Sequence, residues 1–316
     1  MAEPLGNNSY LVDTALYRPG HAACYLVEDS GELAIIDTGT PHSLPQILDA
    51  ISAMGATPAQ VRYVIPTHVH LDHAGGAGQL MQACPQATLI VHPRGQPHMV
   101  DPSKLQAGAT AVYGEQAFRR DFGELRAIPE QRTLAAADLQ NFALGGRTLQ
   151  FLHTPGHANH HGCVFDQHSG YLYTGDTFGL GYREFRHERG PLLVATTTPV
   201  AFDPDAWFDS LDHMMALKPE ACCLTHFGKI DRPERQVGML RDSIQAHVEI
   251  ALAEERQSPE GREARLRAAV DELLVSTGCA HGGLAAERVR QIFESDIELN
   301  AQGLHVWLTR RAKKRD

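Results

Sequence analysis

The 316-residue sequence contains no run approaching the roughly 18 uninterrupted apolar residues a membrane-spanning helix needs, so no membrane partner is expected. It has no CxxC pair. Its six cysteines, Cys24, Cys84, Cys163, Cys222, Cys223 and Cys279, are scattered, which excludes a zinc ribbon and a dense disulfide framework and leaves them as reduced, mostly buried small hydrophobes. There is no basic excess: 28 Lys and Arg face 38 Asp and Glu, and the net charge of -10 opposes nucleic acid as a partner, because that affinity comes from cations neutralising phosphates. One local exception, Arg310-Arg311-Ala312-Lys313-Lys314-Arg315, suits a solvated helix end, where positive charge complements the helix dipole. The start lacks a basic stretch followed by an apolar run, so a secretory signal is not expected and the cytoplasm is the expected compartment. Internal repeats and low-complexity tracts are also missing.

What is present is an ordinary globular composition, 43% hydrophobic and 21% charged. The length suits a catalytic domain at 1–233 followed by a helical C-terminal region at 234–316. Apolar runs at 23–27 and 33–36 predict a hairpin, 44–54 a helix, 61–65 a strand stopped by Pro66, 72–84 a helix and 88–91 a strand. Further strands are predicted at 147–153, 162–166 and 170–174, so strands and helices alternate as in an α/β layered core. Residues 93–138 are too long for a plain connection and are expected to be short helices forming a lid-like insertion. Beyond Pro233 apolar residues recur at helical spacing, for example Val237, Leu240, Ile244 and Val248. Such amphipathic helices are a candidate surface for a homodimer, or for closing over a pocket.

The strongest chemical signal is Thr67-His68-Val69-His70-Leu71-Asp72-His73, between a predicted strand and a predicted helix. A polar loop would account for one isolated histidine. Four imidazole or carboxylate donors within six residues are the ligand types that suit zinc and similar first-row cations. Three later clusters also lie at strand ends: His153-Thr154-Pro155-Gly156-His157, Thr174-Gly175-Asp176 and Thr225-His226. With Asp37-Thr38-Gly39 they make an ordered series in which each member alone is weak and the whole is specific.

On these motifs, the DTG at 37–39, THxHxDH at 67–73, HTPGH at 153–157, TGD at 174–176 and TH at 225–226, the chain resembles the metallo-β-lactamase superfamily over roughly residues 20–230. The resemblance implies an α/β fold, a four-layer αββα sandwich with the helical region as a C-terminal appendage. It implies that His68, His70 and His157 hold one divalent metal ion, that Asp72, His73 and His226 hold a second, and that Asp176 bridges them. The two ions would be zinc, with iron or manganese as alternatives. Asp37 and His161 match residues that hydrogen-bond to ligand-bearing loops and orient them. His92, His153 and His160 are read as structural.

Subfamily features narrow the reading. Cys or Ser is common in true β-lactamases where this chain has Asp176, and oxygen-reducing diiron relatives carry Glu where it has His70. Glyoxalase-II-like and lactonase-like enzymes remain, although residues 177–185 only echo the glyoxalase II loop. The implied function is a hydrolase in which a metal-bridging hydroxide cleaves an ester, thioester or lactone of a small molecule, with Asp72 and Asp176 in catalytic roles. The loop at 177–195 is expected to shape the substrate pocket, with Phe178 and Tyr182 on its wall. The competing readings are a mononuclear iron persulfide dioxygenase and a metal-binding regulatory protein with little turnover.

Overall fold

The computed structural model describes residues 2–188 and 190–315. Arg189, in the expected pocket loop, and the Arg315 side chain, in the basic tail, lie outside the described residues. Contacts divide the chain into two compact units: Met1–His153 with His160–Gly175 and Pro219–Asp231, and Thr154–Asn159 with Asp176–Lys218 and Arg232–Asp316.

The first unit holds both sheets. Strands β1 (Glu3–Gly6), β2 (Ser9–Asp13), β3 (Ala23–Asp29), β4 (Glu32–Ile36), β5 (Val61–Ile65), β6 (Thr88–Val91) and β7 (Thr133–Ala135) lie side by side in chain order. Pairing is antiparallel from β1 to β4 and parallel from β4 to β7. The second sheet runs in reverse order from β13 (Gly228–Asp231) through β12 (Ala221–Leu224), β11 (Tyr171–Gly175), β10 (Gly162–Asp166) and β9 (Arg147–His153) to β8 (Gln140–Leu144). Its one parallel pair is β11 with β12.

Alternation along the pleat explains why the first sheet is apolar on both faces. Leu33, Ile35, Val64, Leu89 and Val91 join a core with helix α1 (Leu44–Ala53). Their neighbours Ala34, Ile36, Ile65 and Ile90 turn the other way into a core shared with Leu149, Phe151, Val164, Tyr173 and Cys223 of the second sheet. Each fully buried large aliphatic side chain contributes about 1.5–3 kcal/mol by leaving water. At one end the sheets are tied directly: the Ala23 N–H donates to the Thr225 carbonyl (2.9 Å), and the Tyr25 hydroxyl donates to the Leu224 carbonyl. Asp37, His68 and His226 all follow the C-terminal ends of parallel-paired strands, the edge at which an α/β sheet leaves its loops free to carry chemistry.

The single helix predicted over 72–84 is interrupted. It forms α2 (Leu71–Ala74) and α3 (Ala77–Ala83), with Gly75 and Gly76 between. A Cβ on Gly76 would sit 2.7 Å from the Thr40 carbonyl oxygen, and the Gly76 N–H donates to Gly39 O at 2.8 Å. The chain therefore bends to dock on the Asp37-Thr38-Gly39 turn rather than continuing as one rod. Residues 93–138 contain the short helices α4 (Gln96–Val100), α5 (Ser103–Tyr113) and α6 (Glu115–Asp121); Phe118 and Phe122 of this segment pack on Leu71.

In the second unit, α7 (Pro204–Ala216) starts at Asp203, whose carboxylate accepts the Ala206 N–H at 3.3 Å. It is followed by α8 (Val237–Glu255), α9 (Arg262–Gly282), α10 (Ala286–Ile292) and α11 (Glu294–Arg315). Leu240, Ile244, Leu266, Val270, Leu274, Leu304 and Leu308 are buried along α8, α9 and α11. His247 of α8 is wholly enclosed; its Nδ1 donates to Ser243 O (2.8 Å), and its Nε2 lies 3.3 Å from Asn300 Nδ2. Burial lowers its pKa to about 4.

The unfolded chain therefore binds a proton at His247 that the folded chain refuses between pH 6.5 and about 4. Stability from this site is complete above pH 6.5 and falls as pH drops through that window, by about 3 kcal/mol at its end. In urea titrations at pH 7 and pH 4.5, H247Q is expected to lose less stability on acidification than the parent chain.

Every cysteine but Cys279 is buried. Desolvation raises the thiol pKa of Cys24 and Cys223 well above the usual range and that of Cys84 to about 11, so these thiols stay protonated and unreactive. Among the described residues no helix is long and apolar enough to cross a membrane.

Candidate metal centre

In the first unit His68, His70, Asp72, His73 and His226 gather at the strand ends. Ligand atoms of Asp72, His73 and His226 lie within 4.8 Å of one another. Asp72 Oδ2 is 3.4 Å from His73 Nε2 and 3.1 Å from His226 Nε2. His68 Nε2 and His70 Nδ1 approach to 2.8 Å, and the His68 and His73 rings are 4.0 Å apart.

The opposite face of each ring explains which nitrogen points inward. His73 Nδ1 meets Asp37 Oδ2 at 2.8 Å, and His226 Nδ1 meets the His21 carbonyl at 2.7 Å. Carbonyl and carboxylate oxygens only accept, so both Nδ1 atoms carry the proton and both Nε2 lone pairs turn to Asp72. His68 Nδ1 faces Thr67 Oγ1 at 3.2 Å, and Thr67 spends its own hydroxyl proton on Asp37 (2.9 Å), which leaves His68 Nε2 as the inward atom. Inward lone pairs anchored from behind by hydrogen bonds, grouped with a carboxylate, are a donor set that fits a divalent first-row cation. Partial burial opposes ionisation of Asp72; where His73 and His226 take a second proton in place of a metal, the His73 charge and hydrogen bonds from both rings hold its carboxyl well below the usual carboxylate range.

Asp37 organises these loops. It accepts the Thr67 N–H (2.7 Å), the Thr67 hydroxyl, the Thr225 hydroxyl (2.6 Å) and the His73 Nδ1–H, binding together the segments after β4, β5 and β12. Its backbone sits at φ 56°, in the left-handed region that Asp and Asn tolerate better than most residues. His161 stacks on His68 with ring centroids 4.7 Å apart. Gly175, at φ 50°, permits this packing, since a Cβ there would lie 2.5 Å from Thr67 Oγ1 and 2.6 Å from His161 Nε2. G175A is expected to cost about 2 kcal/mol or more, read as a lower urea midpoint, through strained backbone and displacement of Thr67.

The second unit carries the other two expected ligands. His157 Nε2 lies 3.4 Å from Asp176 Oδ2, and His157 Nδ1 donates to the Thr196 carbonyl at 2.9 Å. The turn at Pro155-Gly156 is fixed by its neighbours: Gly156, at φ 134°, would place a Cβ 2.4 Å from the Trp207 backbone, and the Pro155 carbonyl accepts the Ser210 hydroxyl (2.6 Å).

Phe178 and Tyr182, expected on the pocket wall, are 0% and 1% exposed. The Tyr182 hydroxyl donates to Asp296 of α11 at 3.2 Å, so neither ring presents surface to solvent. Sequence reasoning missed His21 and Thr196, which act through backbone carbonyls and leave no side-chain signal. It also missed Thr67 and Thr225 as donors to Asp37, although both stand beside candidate ligand histidines in the motifs. His160, read as structural, has its ring 5.6 Å from that of His70, whereas His92 and His153 pair with each other at 4.2 Å.

The sequence profile of the metallo-beta-lactamase superfamily matches residues 17–226. The chain belongs to that superfamily. It shares the superfamily's αββα sandwich, with a C-terminal helical region. Among metallo-beta-lactamase relatives, the fold-containing protein ST1585 of Sulfurisphaera tokodaii is 26% identical over 73% of this chain and 84% of its own length. Its crystal structure superimposes with a TM-score of 0.64 at 22% identity, covering 94% of this chain and 98% of that one. The acyl-coenzyme A thioesterase MBLAC2 of Gallus gallus is 27% identical over 55% of this chain, which spans 64% of that relative. The N-acyl homoserine lactonase AttM of Agrobacterium fabrum is 33% identical over 36% of this chain, which spans 39% of that relative.

Proposed function

We propose that this chain is a metal-dependent hydrolase that cleaves an ester, thioester or lactone bond in a small acyl molecule. In this reading His68, His70 and His157 hold one divalent ion, Asp72, His73 and His226 hold the other, and Asp176 is shared. Zinc is the first choice of metal, since imidazole and carboxylate suit it. The observation that carries the reading is the set of inward imidazole lone pairs fixed by Asp37, His21 and Thr67 around Asp72. The thioesterase and lactonase named above support the choice of bond, both acting on acyl compounds by name.

Bound divalent ions supply Lewis acidity, lowering the pKa of water to about 7 and polarising a carbonyl. The residues of the chain do the rest. The anchored histidines keep the donors preorganised, so no reorganisation is required at the moment of reaction. Asp37 and Asp176 are 1% and 7% exposed, while Asp72 keeps 27% of its side chain open and is the carboxylate through which a proton can pass to solvent.

The test is metal analysis of purified protein with a screen of aryl esters, acyl-coenzyme A thioesters and acyl-homoserine lactones. Two equivalents of divalent metal and hydrolysis of one of these classes are expected, with activity lost on chelation and restored by zinc. Protein that holds no metal, or a single iron with oxygen consumption, contradicts the reading.

A further inference from the structure

The C-terminal helices hold a buried polar group that the hydrolytic site does not use directly. Asn300 of α11 is fully enclosed and engages both sides of the segment 195–197. Its Nδ2 donates to the Ala195 carbonyl (3.1 Å), its Oδ1 accepts the Thr197 N–H (2.7 Å), and its own carbonyl accepts the Thr197 hydroxyl (3.1 Å). From α8, Ser243 Oγ accepts the Ala195 N–H at 2.9 Å. Three residues further along α11, Gly303 lets the Thr197 carbonyl approach so closely that a Cβ would stand 1.6 Å from its oxygen.

In an extended segment the backbone groups of alternate residues face opposite ways. Ala195 and Thr197 spend theirs on α8 and α11, so the carbonyl of Thr196 between them is turned away, and that carbonyl accepts the His157 Nδ1–H at 2.9 Å. Asn300 is held in turn: its Nδ2 also faces His247 Nε2 at 3.3 Å, and His247 Nδ1 donates to Ser243 O.

We propose that Asn300 is a positioning residue for His157, setting the Thr196 carbonyl so that the imidazole keeps its Nδ1 proton and presents Nε2. The C-terminal helices thereby tune one ligand of the metal centre from behind. This rests on the reading above that His157 is a metal ligand.

The full-length chain with Asn300→Leu, Asn300→Asp and Gly303→Ala is compared with the parent by nitrogen-15 NMR of the histidine side chains in metal-free protein and by titration with cobalt(II). Expected for Asn300→Leu is an exchange-broadened or lost His157 Nδ1–H signal and cobalt affinity about 10- to 100-fold weaker, while the His73 Nδ1–H signal held by Asp37 persists. Asn300→Asp keeps an acceptor for the Thr197 N–H and is expected to retain most of the His157 signal, a rescue that a general loss of packing would not give. Gly303→Ala, which from the same helix pushes on the adjoining Thr197 carbonyl, is expected to shift the Thr196–Thr197 backbone and weaken the His157 signal with Asn300 intact. If Asn300→Leu does not fold, Gly303→Ala and Asn300→Asp carry the test. Folded variants with parental His157 signal and cobalt affinity overturn the inference. A parent chain that binds no cobalt overturns instead the reading on which it rests.

Discussion

Replacing Asp37 by Asn is expected to lower folding stability by about 2–4 kcal/mol, because one acceptor oxygen becomes an NH2 group facing buried donors. Asn tolerates the left-handed backbone at φ 56° as well as Asp does, so the substitution changes hydrogen bonding while leaving backbone preference alone. Whichever way the amide turns, it faces either the Thr67 N–H and hydroxyl or the Thr225 hydroxyl and His73 Nδ1–H. His73 then loses the partner that fixes its tautomer, and metal affinity is expected to fall about 10- to 100-fold. Urea unfolding and zinc titration of D37N measure the two effects. An unchanged urea midpoint would show that Asp37 does not bind these segments together.

Asp176→Ala is expected to reduce kcat/KM by at least about 1,000-fold, equivalent to about 4 kcal/mol of transition-state stabilisation. The side chain is 7% exposed and its Oδ2 lies 3.4 Å from His157 Nε2, so its removal takes the carboxylate from beside that imidazole. Folding should survive, since no core packing is lost, and circular dichroism should match the parent chain. Metal content is expected to fall from two equivalents toward one. Full activity with two equivalents still bound would remove Asp176 from the site.

The sequence motifs made the candidate ligands legible for a simple reason. His68, Asp176 and His226 each follow an apolar strand, where a polar side chain stands out against its neighbours and the strand end limits where it can point. The supports were harder to read. His21 and Thr196 contribute carbonyl oxygens, which every residue carries, so only coordinates could single them out. Strands β1, β2, β7, β8 and β13 are short or carry polar residues on their open faces, which hides the two-residue period. Helix α7 was detectable in retrospect: Asp203 caps it, Pro204 opens it, and Trp207, Leu211 and Met214 recur at helical spacing. The break between α2 and α3 was marked by Gly75-Gly76, but its cause, the close approach of the 37–40 turn, is a tertiary contact. Phe178 and Tyr182 show the converse limit. Aromatic residues in a loop look the same in sequence whether they face solvent or, as here, are enclosed.

Anomalous diffraction at the zinc absorption edge, from crystals of the zinc-loaded chain, tests the central claim most directly. Two peaks are expected per chain, one bonded to His68, His70 and His157, the other to Asp72, His73 and His226, with Asp176 touching both. A single peak, or zinc bound by other side chains, would contradict the account.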